Sequence, residues 1–148
     1  MIRLLIGIAA ALGVHELCRK KRVFVSYYYD QDNHYKNLLL AWNANDQFDL
    51  RFEDVSTDIS INSTNRSYIR RRIAAAIEES DVVLVIIGNM THRSDWVAWE
   101  IEKAVDSGKK IVAVKRSKRD KSPPELLSVG AVWVDGFNER EIADAIGV

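Results

Sequence analysis

Apolar residues cluster in solid runs along this chain. Val23-Phe24-Val25, Val82 to Ile87 and Ile111 to Val114 carry no polar interruption. Such runs belong to strands covered on both faces, as in a parallel sheet. Ala131-Val132-Trp133-Val134 reads as the last strand. One segment differs: Phe48, Leu50 and Phe52 alternate with Asp49, Arg51 and Glu53, the pattern of a half-exposed edge strand. Helical spacing fills the gaps. Leu38, Leu39 and Trp42 mark a helix over Asn33 to Ala44, after an exit loop at Tyr27 to Asp32. Ile69, Ile73, Ala76 and Ile77 mark one over Arg66 to Glu79, and Glu139 to Ile146 makes a short terminal one. Strands alternating with helices predict an α/β fold with a parallel sheet covered on both sides. Five strands with the second at an edge give the order 2-1-3-4-5, and ligands in such sheets bind beyond the strand C-termini.

The helix after the third strand holds the most informative residue. Ser94 suits an N-cap, Asp95 suits the positive end of the helix dipole, and Gly108 supplies a stop. Projected at about 100° per residue, Trp96, Val97, Ala98, Ile101, Ala104 and Val105 form one apolar arc. Glu100 falls inside it, while Glu102 and Asp106 lie opposite. A carboxylate on the inward face is costly unless something pairs with it. A structural ion pair and a reacting group both satisfy that requirement.

Ile2 to Val14 is almost entirely apolar, and His15 to Arg22 turns basic. The run is too short for a spanning helix, which needs about 20 residues. A helix docked on the domain, a weak membrane anchor with a basic flank, and an uncleaved signal peptide all fit it. The expected organisation is an apolar N-terminal helix over residues 1–21 and a single domain over 22–148. The charges balance, with 21 Lys and Arg against 21 Asp and Glu, so bulk nucleic-acid binding is not expected. One cysteine, Cys18, forms no internal disulfide and fits a reducing compartment, hence a cytoplasmic protein, membrane-associated if residues 2–14 are an anchor.

Several chemistries are excluded. A phosphoacceptor receiver needs an aspartate at the end of the third strand, which here reads Ile86-Ile87-Gly88. A flavin phosphate loop needs Ser, Thr and Gly after the first strand, where this chain has Tyr27 to Asp30. His15, His34 and His92 are not spaced as a metal set, and no prosthetic group is expected. The arginines Arg66, Arg70, Arg71 and Arg72 read as a solvated helix face rather than a phosphate cradle. What remains is one inward carboxylate beside aromatic residues. Such a group can stabilise the oxocarbenium-like transition state of N-glycosidic cleavage or hold ribose hydroxyls.

Four motifs also resemble a known family: Val23-Phe24-Val25-Ser26-Tyr27, Glu53-Asp54, Ile87-Gly88-Asn89-Met90-Thr91-His92, and Trp96-Val97-Ala98-Trp99-Glu100-Ile101. Together they resemble a Toll/interleukin-1 receptor (TIR) domain of the prokaryotic type that includes the NAD-processing TIR subunit of Thoeris antiphage systems. The likeness spans about residues 22 to 146 and implies a flavodoxin-like three-layer sandwich. Enzymatic members carry their catalytic glutamate in the position of Glu100, and their substrate is NAD+. The resemblance implies nicotinamide release, a cyclic ADP-ribose-type signal read by a downstream effector, and self-association through TIR surfaces.

The expected substrate-binding residues are Ser26, Tyr27, Tyr28, Asp30, Asp54, Asn89, His92 and Trp96. Each has a plainer alternative: edge packing for the tyrosines, helix capping for Asp30, turn shaping for Asn89, loop support for His92 and core packing for Trp96. The polar stretch Asp54 to Asn65 carries no TIR signature. Two further readings stay open beside the NAD+ enzyme: a non-catalytic TIR scaffold, and a nucleoside deoxyribosyltransferase-like enzyme with Glu100 as nucleophile.

Overall fold

The computed structural model describes residues 19–56 and 65–148. The expected N-terminal helix and most of the polar loop after Asp54 lie outside the described residues. Five parallel strands form one sheet in the order β2-β1-β3-β4-β5. They are β1 (Arg22–Ser26), β2 (Glu53–Asp54), β3 (Val82–Ile87), β4 (Lys110–Lys115) and β5 (Val132–Asp135). The helices are α1 (Tyr29–Ala44), α2 (Arg66–Glu79), α3 (Asp95–Asp106) and α4 (Glu139–Ile146).

Alternation along the strands sorts the core into two layers. Val23, Val25, Leu84, Val112 and Val134 pack with Leu39 of α1 and with Ile142 and Ile146 of α4. Phe24, Val83, Val85, Ile111 and Ala113 pack with Ala76 and Ile77 of α2 and with Val97, Ile101 and Ala104 of α3. The strand order reverses between β1 and β3, whose following helices lie on opposite faces. In sheets of this kind ligands bind beyond the strand ends at such a switch point.

Three sequence expectations need correction. The first helix starts at Tyr29, not Asn33, with Tyr28 at the N-cap, so the exit loop is only two residues long. On α3, Val105 is exposed, and the buried stripe is Val97, Glu100, Ile101 and Ala104. The edge strand also lies later than its alternation suggests. Leu50 and Phe52 are buried, yet only Glu53 and Asp54 join the ladder. The cause is visible in the backbone. The Leu50 N–H donates to Glu139 Oε1 at 2.6 Å, and the Phe52 N–H donates to Asn43 Oδ1 at 2.9 Å. Asn43 Nδ2 donates back to the Phe52 carbonyl at 2.8 Å. Side chains of α4 and α1 thus take the place of a neighbouring strand and satisfy groups that would be costly to bury unpaired.

The α3 boundaries follow the sequence signals. Ser94 Oγ accepts from the Val97 N–H at 3.2 Å, and Gly108 has φ +66° just past the helix end. The α2 arginines are exposed, as expected of a solvated face. No helix among the described residues is long and apolar enough to cross a membrane.

Asn43→Ala deletes both bonds to Phe52 while leaving the apolar contacts in place. It is expected to lower unfolding free energy by about 1–3 kcal/mol. Urea denaturation measures this, and a loss below about 0.5 kcal/mol, the range of ordinary surface changes, would show that the side chain is no strand substitute.

Candidate active site at the end of β1

Ser26 ends β1 on the α2/α3 face, and Glu100 reaches it from the second turn of α3. Ser26 Oγ donates to Glu100 Oε1 at 3.2 Å. Both side chains are buried, with Glu100 8 % exposed. This is the only hydrogen bond to the Glu100 carboxyl among the described residues. Burial pushes that carboxyl from an ordinary 4.5 up to about 8. The Ser26 hydrogen bond and the positive charge of Lys36 act the other way without overcoming it. In the free protein at neutral pH, Glu100 is therefore mainly a carboxylic acid.

Tyr27, the next residue, turns to the opposite face and packs against the α1/α4 layer. Lys36 of α1 meets it there, with Nζ 5.4 Å from the ring centroid. Lys36 is itself buried, and its Nζ lies 3.6 Å from Asp54 Oδ2. The other Asp54 oxygen accepts from the Ser56 N–H at 2.9 Å. Asp54 ends β2, so a lysine and an aspartate bracket the strand end opposite Glu100.

Ser26 and Glu100 are thus brought together, while Tyr27, Asp54 and an unforeseen Lys36 meet on the other side of the strand end. The signal was present: Asp32, Lys36 and Leu39 share the buried face of α1, and a projection like the one that singles out Glu100 places Lys36 there. Tyr28 is half-buried at the α1 N-cap, its carbonyl accepting from the Asp32 N–H at 2.9 Å. Asp30 is exposed in the first turn of α1 and does not occupy the cap. Asn89 is exposed in the turn after β3. His92 is half-buried, with Nδ1 buried and unpartnered among the described residues. Trp96 packs edge-on to Trp99, with Arg70 5.8 Å from its ring centroid, so this part of it belongs to the α2–α3 contact.

The turn carrying Asn89 and His92 is anchored by a second buried acid. The Gly88 N–H donates to Thr91 Oγ1 at 2.8 Å, and Thr91 Oγ1 donates to Asp32 Oδ2 at 3.2 Å. A Cβ on Gly88 would collide with the Asp32 carboxyl. Burial raises the Asp32 pKa, against its bond from Thr91. No group of three or more His, Cys, Asp or Glu side chains among the described residues is arranged to hold a metal ion.

Residues 24–121 match the family described as Thoeris protein ThsB, TIR-like domain. The chain belongs to that family. No curated protein matches it in sequence. Among solved structures, it resembles the CMP N-glycosidase BcmB of Clostridium botulinum at 20 % identity and TM-score 0.58, over 84 % of this chain and 96 % of that one. It also resembles a 2-deoxyribosyltransferase of Bacillus psychrosaccharolyticus at 13 % identity and TM-score 0.57, over 81 % and 90 %. A conserved protein of Enterococcus faecalis aligns at 12 % identity and TM-score 0.59, over 86 % and 98 %. At these identities the likeness shows the fold alone.

The raised Glu100 pKa makes a signed prediction about stability. Between pH 4.5 and about 8 the unfolded chain has released this proton while the folded one keeps it. Stability from this group therefore falls as pH rises through that window and levels off above it, by up to about 1.4 kcal/mol per pH unit. Glu100→Gln cannot titrate, so its melting temperature relative to the parent should climb from pH 5 to about 8. Thermal melts across that range test this, and a pH-independent difference would show that Glu100 is not held protonated.

Proposed function

We propose that this protein is a TIR-type enzyme that cleaves NAD+ between ribose and nicotinamide, and that its ADP-ribose-type product is a signal in antiphage defence. The observation that carries this reading is Glu100: a buried carboxyl at the switch point of the sheet, bonded to Ser26 and paired to no arginine among the described residues. Membership of the ThsB TIR-like family supports it, and Glu100 stands where the resemblance to TIR enzymes implies their W-V-x-x-E glutamate.

The chemistry needs little beyond that one group. As the C1′–N bond breaks, its electron pair leaves with the nicotinamide nitrogen, which passes from pyridinium to a neutral ring. No proton has to be supplied. Positive charge moves onto the ribose, where the Glu100 carboxylate stabilises it. Water or an internal adenine nitrogen then captures C1′, giving free or cyclised ADP-ribose. Ser26 orients the carboxylate. Tyr27, Tyr28 and Asp54 border the ribose, and His92, whose buried Nδ1 has no partner among the described residues, is assigned to the same side of the substrate. Asp30, Asn89 and Trp96 are assigned the substrate's periphery. Self-association and a downstream effector complete the proposed signalling role, with residues 2–14 either docked on the protein or in contact with a membrane.

Purified protein incubated with NAD+ should release nicotinamide, and Glu100→Gln or Glu100→Ala should cut the rate at least about a hundredfold with an unchanged circular-dichroism spectrum. CMP and 2′-deoxynucleosides run alongside: turnover of these with a ribosylated Glu100, and none of NAD+, would favour the transferase reading. In a scaffold, function in infected cells would survive Glu100→Gln.

The reacting form is the carboxylate, and kcat/KM reports the free protein. It should therefore rise about tenfold per pH unit below about 8 and level above that. A flat or falling profile between pH 6 and about 8 would reject Glu100 as the stabilising anion.

A further inference from the structure

The connection from β3 to α3 runs from Gly88 to Ser94, and it is fixed at Thr91. Thr91 and Asp32 of α1 meet there, each 1 % exposed. Thr91 Oγ1 accepts from the Gly88 N–H at 2.8 Å and donates to Asp32 Oδ2 at 3.2 Å. The hydroxyl has one proton to give, and Asp32 is the nearer of its two acceptors, the Ile86 carbonyl being 3.4 Å away. Among the described residues this is the only side-chain hydrogen bond to the Asp32 carboxyl. Two of these residues are poor choices for packing alone. A carboxyl buried in α1 needs a partner that an apolar residue would not. Gly88 is not required by its own backbone, since its φ lies outside the left-handed region that Gly108, Gly130, Gly136 and Gly147 adopt. A side chain is excluded there because its Cβ would collide with the Asp32 carboxyl. One role accounts for both: the carboxyl is seated against the chain so that it can hold Thr91.

From Thr91 the hold passes onward. Its carbonyl accepts from the Ser94 N–H at 3.0 Å, and Ser94 Oγ accepts from the Val97 N–H at 3.2 Å, in the first turn of the helix that carries Glu100. His92 directly follows Thr91 in the same short 3-10 segment. A single hydroxyl thus ties both the His92 turn and the start of α3 to α1. We propose that Asp32 is a positioning residue of the site: through Thr91 it clamps the Gly88–Ser94 turn, and so fixes where His92 and the start of α3 stand for the cleavage. The assignment rests on the NAD+ reading for its catalytic consequence, and on the hydrogen bonds alone for the clamp.

Placement errors of about an ångström cost rate more than binding, so loosening the clamp is read in kcat. Asp32→Ala and Thr91→Val should each lower kcat for nicotinamide release about ten- to a hundredfold with KM changed less than about threefold, and Thr91→Ser, which keeps the hydroxyl, should restore it. Combining Asp32→Ala with Gly88→Ala refills the space the carboxyl leaves without replacing its bond. The melting temperature should then recover toward the parent's while kcat stays low. Amide hydrogen exchange followed by NMR needs no turnover: the Gly88 and Ser94 N–H groups should exchange at least about tenfold faster in Asp32→Ala and Thr91→Val, with the β4 amides at parent rates. Recovery of kcat in the Asp32→Ala/Gly88→Ala variant would reduce the acid to a space-filler and overturn the proposal, as would unchanged exchange at Gly88 and Ser94. If Asp32→Ala does not fold, Thr91→Val and Thr91→Ser decide in its place. A parent that leaves NAD+ intact rejects the NAD+ reading, and the exchange rates then decide by themselves whether Asp32 holds the turn.

Discussion

Burying a carboxyl costs free energy unless its charge is met, and among the described residues Glu100 is buried with a single hydrogen bond, from Ser26. Neutralisation is how the fold tolerates it, since the group keeps its proton up to about 8. The surrounding architecture follows from where that carboxyl has to sit. It needs the end of a central strand, because only there does a side chain such as Ser26 face a helix start while remaining close to solvent. It needs the second turn of a helix, so that residue 100 points down at the sheet instead of out to solvent.

The alternation of a β-strand links the two halves of the site. Ser26 serves the α2/α3 layer and Tyr27 the α1/α4 layer, so one peptide step carries the site from one side of the sheet to the other. The shortness of β2 contributes as well. Asn43 and Glu139 satisfy the backbone before Glu53, and the ladder begins only where Asp54 can meet Lys36. Had pairing begun at Phe48, as the alternation suggests, the strand would have run in register with more of β1. Its end would then have fallen in a different place.

How much of this was legible in the sequence depended on the kind of signal. Solid apolar runs gave the central strands and their order, because burial on both faces leaves no room for polar residues. The cap at Ser94 gave the start of α3 to the residue. Glu100 was legible because a single charge interrupts an otherwise apolar arc. Lys36 and Asp32 interrupt the face of α1 in the same way, but that helix begins four residues earlier than its periodicity suggests, and its mixed composition blurs the arc. The shift of β2 was not legible, because side chains from residues 43 and 139 supply the bonds that a neighbouring strand would have made. The Ile87-Gly88-Asn89-Met90-Thr91 motif stood out as a resemblance, while its cause, an Asp32 carboxyl seated where a Cβ would be, needed coordinates.

The number of free acids at the strand end bears on which glycosidic bonds the site suits. Departure of a neutral base from a nucleoside calls for a proton at the base as well as an anion at the sugar, and thus two groups with separated pKa values. At the end of β1 the second acid, Asp54, has both oxygens engaged, one by Lys36 and the other by the Ser56 N–H. Glu100 is left to act alone. A lone carboxyl can serve a leaving group that is already cationic, because departure of a pyridinium needs only stabilisation of the charge it leaves on the ribose. A substrate bearing its own positive charge also draws the proton off Glu100 as it enters, turning a neutral, tolerable buried acid into the anion the bond cleavage requires.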